Sequence, residues 1–300
     1  TNAWMNSFMF DDMEIREINV RLDQGVKALL EQKDYPAPVA NLLAEMLIVA
    51  CLLSANLKLQ GRLSVQVRGQ GPLKWVMAEC RQFSDDPQQP FRVKGMAQAD
   101  ADIPLNESLE DMVGDSRLVI TIEPDQGQRY QGIVMVDQAT LAECIESYFY
   151  QSEQLPTHIQ LVSKGEGVAG FMLQRLPQVE AQEEQADKDW ELVHVLAASL
   201  SEAELSQLPA DQVLHRLFHE HNVKVFSPRK VLQECDCSRK RCGAAITSLG
   251  KAAVDEILAE QEAIIIDCQF CNAHYAFDKV DCHVLLEPAA VSDQATDSLH

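Results

Sequence analysis

The apolar and polar positions change period several times along this 300-residue chain, and each change marks the edge of a predicted element. Residues 19–34 place apolar points at Val20, Leu22, Val26, Leu29 and Leu30, which predicts a helix stopped by Tyr35-Pro36-Ala37-Pro38. Leu42 to Leu57 is apolar except at Glu45 and Asn56. That run is shorter than the roughly 18 residues expected of a membrane span, so it predicts a buried core helix, with Cys51 as packing. Arg62 to Arg68 then alternates with period two, the pattern of a half-buried strand. Gly69-Gln70-Gly71-Pro72 is a turn, Leu73 to Cys80 the returning strand, and Arg92 to Gln98 another. Leu118 to Ile122 and Tyr130 to Val136 flank Pro124-Asp125-Gln126-Gly127, which has hairpin chemistry. A helix over Thr140 to Tyr150, containing Cys144, ends before Leu155-Pro156, and His158 to Val162 with Phe171 to Arg175 forms a last strand pair. Many hairpin-linked strands with few helices predict an α+β domain on an antiparallel sheet, residues 1–179.

Near residue 178 the pattern loses its core-building character. Glu180, Glu183, Glu184, Asp187, Asp189 and Glu191 face only Lys188, which marks a boundary. Trp190, Val193, Leu196, Ala197 and Leu200 then recur near helical spacing. Ser201-Glu202-Ala203-Glu204 is a capping-box pattern, and Pro209 fits the first helical position of a third short helix with Val213, Leu214, Leu217 and Phe218 on one face. Helices this short are marginal alone and persist only by docking, so residues 180–230 are expected to be a metastable helical linker. Residues 231–300 form a last, smaller unit. It holds a helix 239–249 between the N-cap Ser238 and the stop Gly250, a helix 251–260, and strands 263–267 and 273–277.

Composition narrows the function. A hydrophobic content of 46% supports a sizeable core, and a net charge of −21 argues against nucleic acid and anionic membrane as main partners. Residues 1–20 contain Asp11, Asp12, Glu14 and Glu17 and no apolar stretch, so no signal peptide is expected, and the nine cysteines are read as reduced and cytoplasmic. Gly165-Glu166-Gly167-Val168-Ala169-Gly170 matches G-x-G-x-x-G, but no helix opens after it, and a turn is expected in place of a dinucleotide site. His215 and His219 are four apart on the third linker helix, with Arg216 where a zinc protease needs Glu; a solvent-side pair is expected.

The chemistry concentrates in two cysteine pairs, Cys235-Asp236-Cys237 and Cys268-Gln269-Phe270-Cys271. Two short-spaced pairs supply the four thiolates of a closed tetrahedral zinc site, the alternative being structural disulfides or inert buried thiols. His274 offers a replacement ligand that four cysteines make unnecessary. The Cys-x-Cys spacing also permits a strained, labile disulfide. Arg239, Lys240 and Arg241 follow at once, at the wrong end of a helix dipole for cations. A zinc ion with four thiolates carries a formal −2 charge that offsets them, and cations beside thiols lower their pKa; the alternative is a solvated basic turn. The apolar content of 231–300 is thin, and zinc in small domains contributes about 10–16 kcal/mol of apparent folding free energy against a typical domain stability of roughly 5–15 kcal/mol. Metal removal is therefore expected to unfold this unit.

Cys235-Asp236-Cys237-Ser238-Arg239 with Cys242, followed by Cys268-Gln269-Phe270-Cys271-Asn272-Ala273-His274-Tyr275, resembles the zinc region of the redox-regulated heat-shock protein 33 chaperone family. Further matches are Asp34-Tyr35-Pro36-Ala37-Pro38-Val39, Gly69-Gln70-Gly71-Pro72-Leu73, Arg129-Tyr130-Gln131-Gly132 and the stretch from Tyr148 to Thr157. The resemblance implies an ATP-independent holdase, not an enzyme, that is inactive while reduced and zinc-bound. It implies one Zn2+ per chain on Cys235, Cys237, Cys268 and Cys271, and disulfides Cys235–Cys237 and Cys268–Cys271 on oxidation. Zinc release, linker unfolding, homodimer formation and capture of unfolding client proteins would follow, with Arg239, Lys240, Arg241 and Cys242 as modulators. Two stretches depart from the family pattern: no glycine follows Arg16, and Val93-Lys94-Gly95 stands in place of an arginine-glycine motif. The rival readings are a constitutive zinc-ribbon interaction protein without a redox switch and a thiol oxidoreductase; the second lacks the βαβ context a Cys-x-x-Cys enzyme needs. Cys51, Cys80, Cys144 and Cys282 receive no chemical role from the sequence.

Overall fold

The structure is a computed structural model and describes residues 3–22, 24–57, 60–100, 102–103, 108–164, 167–177, 182–235 and 237–287. The chain divides into two compact units, Thr1–Glu234 and Cys235–His300. Gly165 and Glu166, the expected boundary at 179–180, Asp236 and residues 288–300 lie outside the described residues.

The first unit is built on one sheet of eleven strands: β1 (Trp4–Phe10), β2 (Ile15–Leu22), β3 (Gly61–Arg68), β4 (Leu73–Gln82), β5 (Phe91–Ala99), β6 (Arg117–Pro124), β7 (Tyr130–Met135), β8 (Thr157–Val162), β9 (Val168–Arg175), β10 (Val223–Val225) and β11 (Arg229–Gln233). The order is β7-β6-β3-β4-β5-β11-β1-β2-β9-β8, with β10 also on β1. Every pairing is antiparallel except β5 with β11. The α+β class and the antiparallel sheet follow the sequence pattern, and the hairpins β3–β4, β6–β7 and β8–β9 form where the turn chemistry places them. A helix α1 spans Gln24–Gln32, preceded by the strand β2, so the expected helix over 19–34 is corrected at its start. Both faces of β2 are covered: Ile18, Val20 and Leu22 are buried on one side, Ile15, Glu17 and Asn19 on the other. Such a strand shows no in-out alternation to read.

Helix α2 (Ala37–Leu57) lies across one face of the sheet and is longer than its apolar stretch suggests. By length and composition it could cross a membrane, with mean hydropathy 1.9, but 78% of its apolar window is buried inside the fold, which makes it a core helix. The helix and sheet approach closely at two glycines. A Cβ on Gly95 would fall 2.8 Å from Leu43 Cδ1, and one on Gly170 2.1 Å from Ile48 Cγ2. Glu45, the one charged residue of α2, accepts a hydrogen bond from Ser163 Oγ at 2.9 Å. Gly167 precedes β9, and no helix follows the G-x-G-x-x-G run, so nothing there cradles a phosphate. Two further helices pack within this unit, α3 (Leu109–Val113) and α4 (Leu141–Tyr148); α4 opens on a Thr140–Glu143 capping box and runs into a π-helical turn over Phe149–Glu153.

Three helices cover the other face of β1, β2, β9 and β8: α5 (Glu183–Ala198), α6 (Glu202–Gln207) and α7 (Ala210–Phe218). Val193, Ala197, Leu205, Val213, Leu217 and Phe218 meet Phe8, Phe10, Ile15, Phe171 and Leu173 of the sheet in a second core. Phe10 and Phe218 stack edge to face with centroids 5.1 Å apart. Polar ties run along the edge of this contact. Arg21 donates to the carbonyls of Leu205 (3.1 Å) and Leu208 (2.6 Å), Gln160 donates to Leu200 O (2.8 Å), and Arg175 pairs with Asp187. The Ser201–Glu204 capping box is present, while Pro209 is the N-cap of α7, one residue earlier than expected, because its ψ of 152° is still extended.

The second unit contains α8 (Arg239–Leu249), α9 (Lys251–Glu260), a two-stranded ribbon of β12 (Ala263–Asp267) and β13 (His274–Asp278), and α10 (Lys279–Leu286). Its buried apolar cluster is small: Ile246, Val254, Ile264, Phe277 and Cys282. Helix α10 has no apolar stripe in the sequence; an Asp278–Asp281 capping box opens it.

Candidate metal centre

Local chemistry sets the positions of four sulfurs in the second unit. Cys235 and Cys237 sit just before α8, whose N-cap Ser238 accepts from the Arg241 amide. Cys268 and Cys271 lie on the turn between β12 and β13. That turn is closed by Asn272 N donating to Cys268 O (2.8 Å) and Cys268 N donating to Ala273 O (2.9 Å), with Asn272 in the left-handed region at φ 58°. Asn tolerates that conformation better than most residues.

The four Sγ atoms lie within 4.8 Å of one another, and among the described residues this is the cysteine, histidine or carboxylate cluster able to hold a metal ion. Cys235 Sγ is 3.5 Å from Cys268 Sγ, and Cys237 Sγ is 3.4 Å from Cys271 Sγ. A tetrahedral zinc with bonds of about 2.3 Å requires sulfur–sulfur edges of about 3.8 Å. The spread brackets that edge and is far beyond a disulfide bond of about 2.05 Å. All four thiols are free, so the donor set fits a soft or borderline divalent ion. Burial pushes the Cys268 thiol up, but the backbone amides of Cys271 and Phe270 outweigh it and hold the group down at about 7. At Cys235 burial prevails and pushes the thiol up. One sulfur is thus ready to ionise while its partner resists, and a bound cation would favour the thiolate at both.

The neighbours of the cluster are placed as follows. Arg239 turns into the unit: Nη1 donates to Ala276 O at 2.6 Å, Nη2 pairs with Asp281, and the guanidinium lies 4.4 Å from the Phe277 ring centroid. Lys240 and Arg241 are exposed. Cys242 is half-buried against the small core, outside the four-sulfur group. His274 pairs through Nδ1 with Asp267 and stands outside it too. His215 on α7 and His219 at its C-cap are exposed, with ring centroids 5.7 Å apart. One neighbour escaped the sequence reading: the Tyr275 hydroxyl is 3.2 Å from Cys237 Sγ. The available signal was its position on the strand returning from the Cys268–Cys271 turn.

A large antiparallel-sheet unit followed by a small unit with a four-cysteine cluster defines an α+β protein whose C-terminal module could hold a metal ion. The Hsp33 protein family profile matches residues 4–278. The 33 kDa chaperonin of Ectopseudomonas mendocina is 42% identical over 285 residues, covering 93% of this chain and 94% of that protein. The 33 kDa chaperonin of Shewanella loihica is 38% identical over 289 residues, covering 96% and 97%. The crystal structure of the 33 kDa chaperonin (heat shock protein 33 homolog) from Thermotoga maritima superimposes with a TM-score of 0.78 at 22% identity, covering 94% of this chain and 97% of that one, which shows the shared fold. The chain belongs to the Hsp33 protein family.

Proposed function

We propose that this protein is a redox-regulated, ATP-independent holdase chaperone and not an enzyme, working in the cytoplasm. The observation that carries the reading is the four-sulfur cluster, whose edges suit one tetrahedral Zn2+. Cys235, Cys237, Cys268 and Cys271 hold the ion, which fixes the ribbon and α8 around a core too small to stand alone. When bound, zinc keeps all four sulfurs as thiolates and supplies the folding energy of the unit.

Oxidation by peroxide or hypochlorite converts the thiolates to Cys235–Cys237 and Cys268–Cys271 disulfides and releases the ion. In the folded unit the sulfurs also approach across the two pairs, at 3.5 Å between Cys235 and Cys268 and 3.4 Å between Cys237 and Cys271. Once the unit opens, loop closure favours partners two and three residues apart in the chain. In this reading the chain comprises a core of residues 1–179, a metastable linker over 180–230 and a redox-sensing unit over 231–300. The linker rests on Phe8, Phe10, Phe171 and Leu173, apolar side chains that become available to unfolding clients when it lifts, and active chains pair as homodimers. Arg239, Lys240, Arg241 and Cys242 adjust thiol reactivity.

The test is zinc release and light scattering in one experiment. Reduced, zinc-loaded protein is treated with peroxide at 25 °C and under mild heat, and released zinc is read with a chromogenic chelator while a thermally unfolding client reports aggregation. Release of one zinc per chain together with gained suppression of aggregation, faster with heat, is expected. Retained zinc, or equal suppression by the reduced zinc-bound protein, overturns the reading in favour of a constitutive zinc-ribbon interaction protein.

A further inference from the structure

The contact between α5–α7 and the sheet contains a group that is costly to bury. Glu17 on β2 is 0% exposed, and neither carboxylate oxygen has a hydrogen-bond partner. The register sets Glu17 between Phe8 of β1 and Leu173 of β9, both members of the core that the helices cover. Paired residues share a face of the sheet, so the carboxyl sits on the helix side. Asn19, two residues along on the same face, also has an unpartnered buried Nδ2.

The charged and titratable groups on the packed elements are otherwise mostly paired or exposed. On β2, Arg21 donates to carbonyls at the end of α6, and on β9, Arg175 pairs with Asp187 of α5. On β8, His158 stands opposite Leu173, beside His194 of α5 with centroids 4.9 Å apart. Glu204 of α6 pairs with Arg216 of α7, His215 is exposed, and His221 stacks edge-on against Phe10 of β1. On the helix side, β1 contributes Asn6, Phe8 and Phe10 and no charge.

We propose that Glu17 is a built-in destabiliser of helix docking: its carboxyl must be neutral while α5–α7 cover it, so rising pH loosens them from the sheet. A buried carboxylate without a partner is far costlier than a buried carboxylic acid. Burial raises the group from its ordinary 4.5 to about 8. The docked form therefore holds a proton that the undocked form gives up. Docking is strongest below 4.5 and weakens up to tenfold per pH unit as pH climbs toward 8. His158 works in the opposite sense. Burial and then His194 lower it from 6.5 to about 4, so its contribution is full above 6.5 and is lost as pH falls to 4. The two dependences cancel between 4.5 and 6.5, and above 6.5 Glu17 acts alone.

This proposal rests on the docked helices and not on the redox reading, so the test uses reduced, zinc-loaded protein with no oxidant and no client. Amide hydrogen exchange of peptides within 183–218 is followed by mass spectrometry from pH 6.5 to 8, corrected for intrinsic base catalysis, with α2 peptides as reference. Protection of α5–α7 in the wild type is expected to fall about 15-fold relative to α2, the tenfold-per-unit slope flattening as the docked carboxyl itself ionises near 8. Glu17→Gln and Glu17→Leu should each give pH-independent protection that exceeds wild type at pH 8, and His158→Gln should leave the alkaline fall intact. A flat wild-type profile overturns the proposal. So do an unchanged slope in both Glu17 variants, or protection at pH 8 below wild type in both.

Discussion

Helix α2 and helices α5–α7 cover opposite faces of the same strands by different means. Under α2 the sheet presents Ile18, Val20, Leu22 and Met172, and glycines at 95 and 170 let the helix settle close to the backbone. Under α5–α7 the aromatic core is interrupted by Glu17 and Asn19, and the helices are 16, 6 and 9 residues long against 21 for α2. One cover is a single element that the fold cannot lose. The other is three short amphipathic pieces, each dependent on docking. Stability is thus allotted unevenly within one unit, and segments that must move come from the weaker end. The second unit lies further along the same scale, with five buried apolar side chains among its described residues and a four-sulfur cluster in place of a large core.

The largest expected effect separates the two units. Stripping the metal with a strong chelator under reducing conditions should cost the second unit about 10–16 kcal/mol of apparent folding free energy. Amide protection over α8–α10 should vanish while that of α2 persists; protected α8–α10 amides in metal-free protein would break the contrast. Next comes the pair of covers themselves. Leu47→Ala removes a fully buried side chain of α2 and should cost about 2–5 kcal/mol of global stability, seen as a lower chemical-denaturation midpoint of the whole first unit. Leu217→Ala on α7 deletes the same atoms from a site 4% exposed, at about 2–4 kcal/mol, but should appear as selective loss of protection over 183–218. It should also let peroxide activate holding without heat. If Leu217→Ala and Leu47→Ala lower protection everywhere alike, the two covers are one cooperative structure and the comparison fails.

Smaller effects sharpen the picture at the cluster. Ser238→Ala should destabilise the start of α8 by about 1 kcal/mol, measurable as a lower thermal midpoint of the zinc-loaded second unit, with zinc stoichiometry unchanged. Replacing Arg239, Lys240 and Arg241 together with Gln should slow peroxide-driven zinc release a few-fold at fixed pH, because thiolate character falls. Arg239→Gln alone should also loosen the unit, since its guanidinium joins Ala276 O, Asp281 and Phe277. A triple variant with the wild-type release rate would leave these residues as structural and solvated positions.

The parts of the fold legible in the sequence are those that carry a clear period, a long apolar run or a cap or turn signal. β3 alternates and is found, and Ser238 and Gly250 bracket α8 as their cap chemistry dictates. Strands β1 and β2 are hidden because both faces are covered, so apolar residues fill consecutive positions and Glu17 and Asn19 look like surface. β10 and β11 are three and five residues long, too short to show a period. At the site, all four cysteines were visible through their spacing, because chelation needs sulfurs close in the chain. Tyr275 and the inward turn of Arg239 were not, since those contacts depend on how β13 and α10 fold back.

Strand β11 has a consequence for how the protein is made. It joins the two halves of the sheet, lying parallel to β5 and antiparallel to β1, with Trp4 opposite Lys230. During synthesis, β3 to β7 can pair with near neighbours as they leave the ribosome, and β1 with β2, while the other edge of β1 must wait for β10 and β11 at the far end of the unit. Distant pairings of this kind are slow and leave strand edges open. The nascent chain therefore carries an unpaired edge on β5 until the segment just before Cys235 has emerged. The growing chain is thus itself most in need of protection from aggregation in the last moments before its own sheet closes.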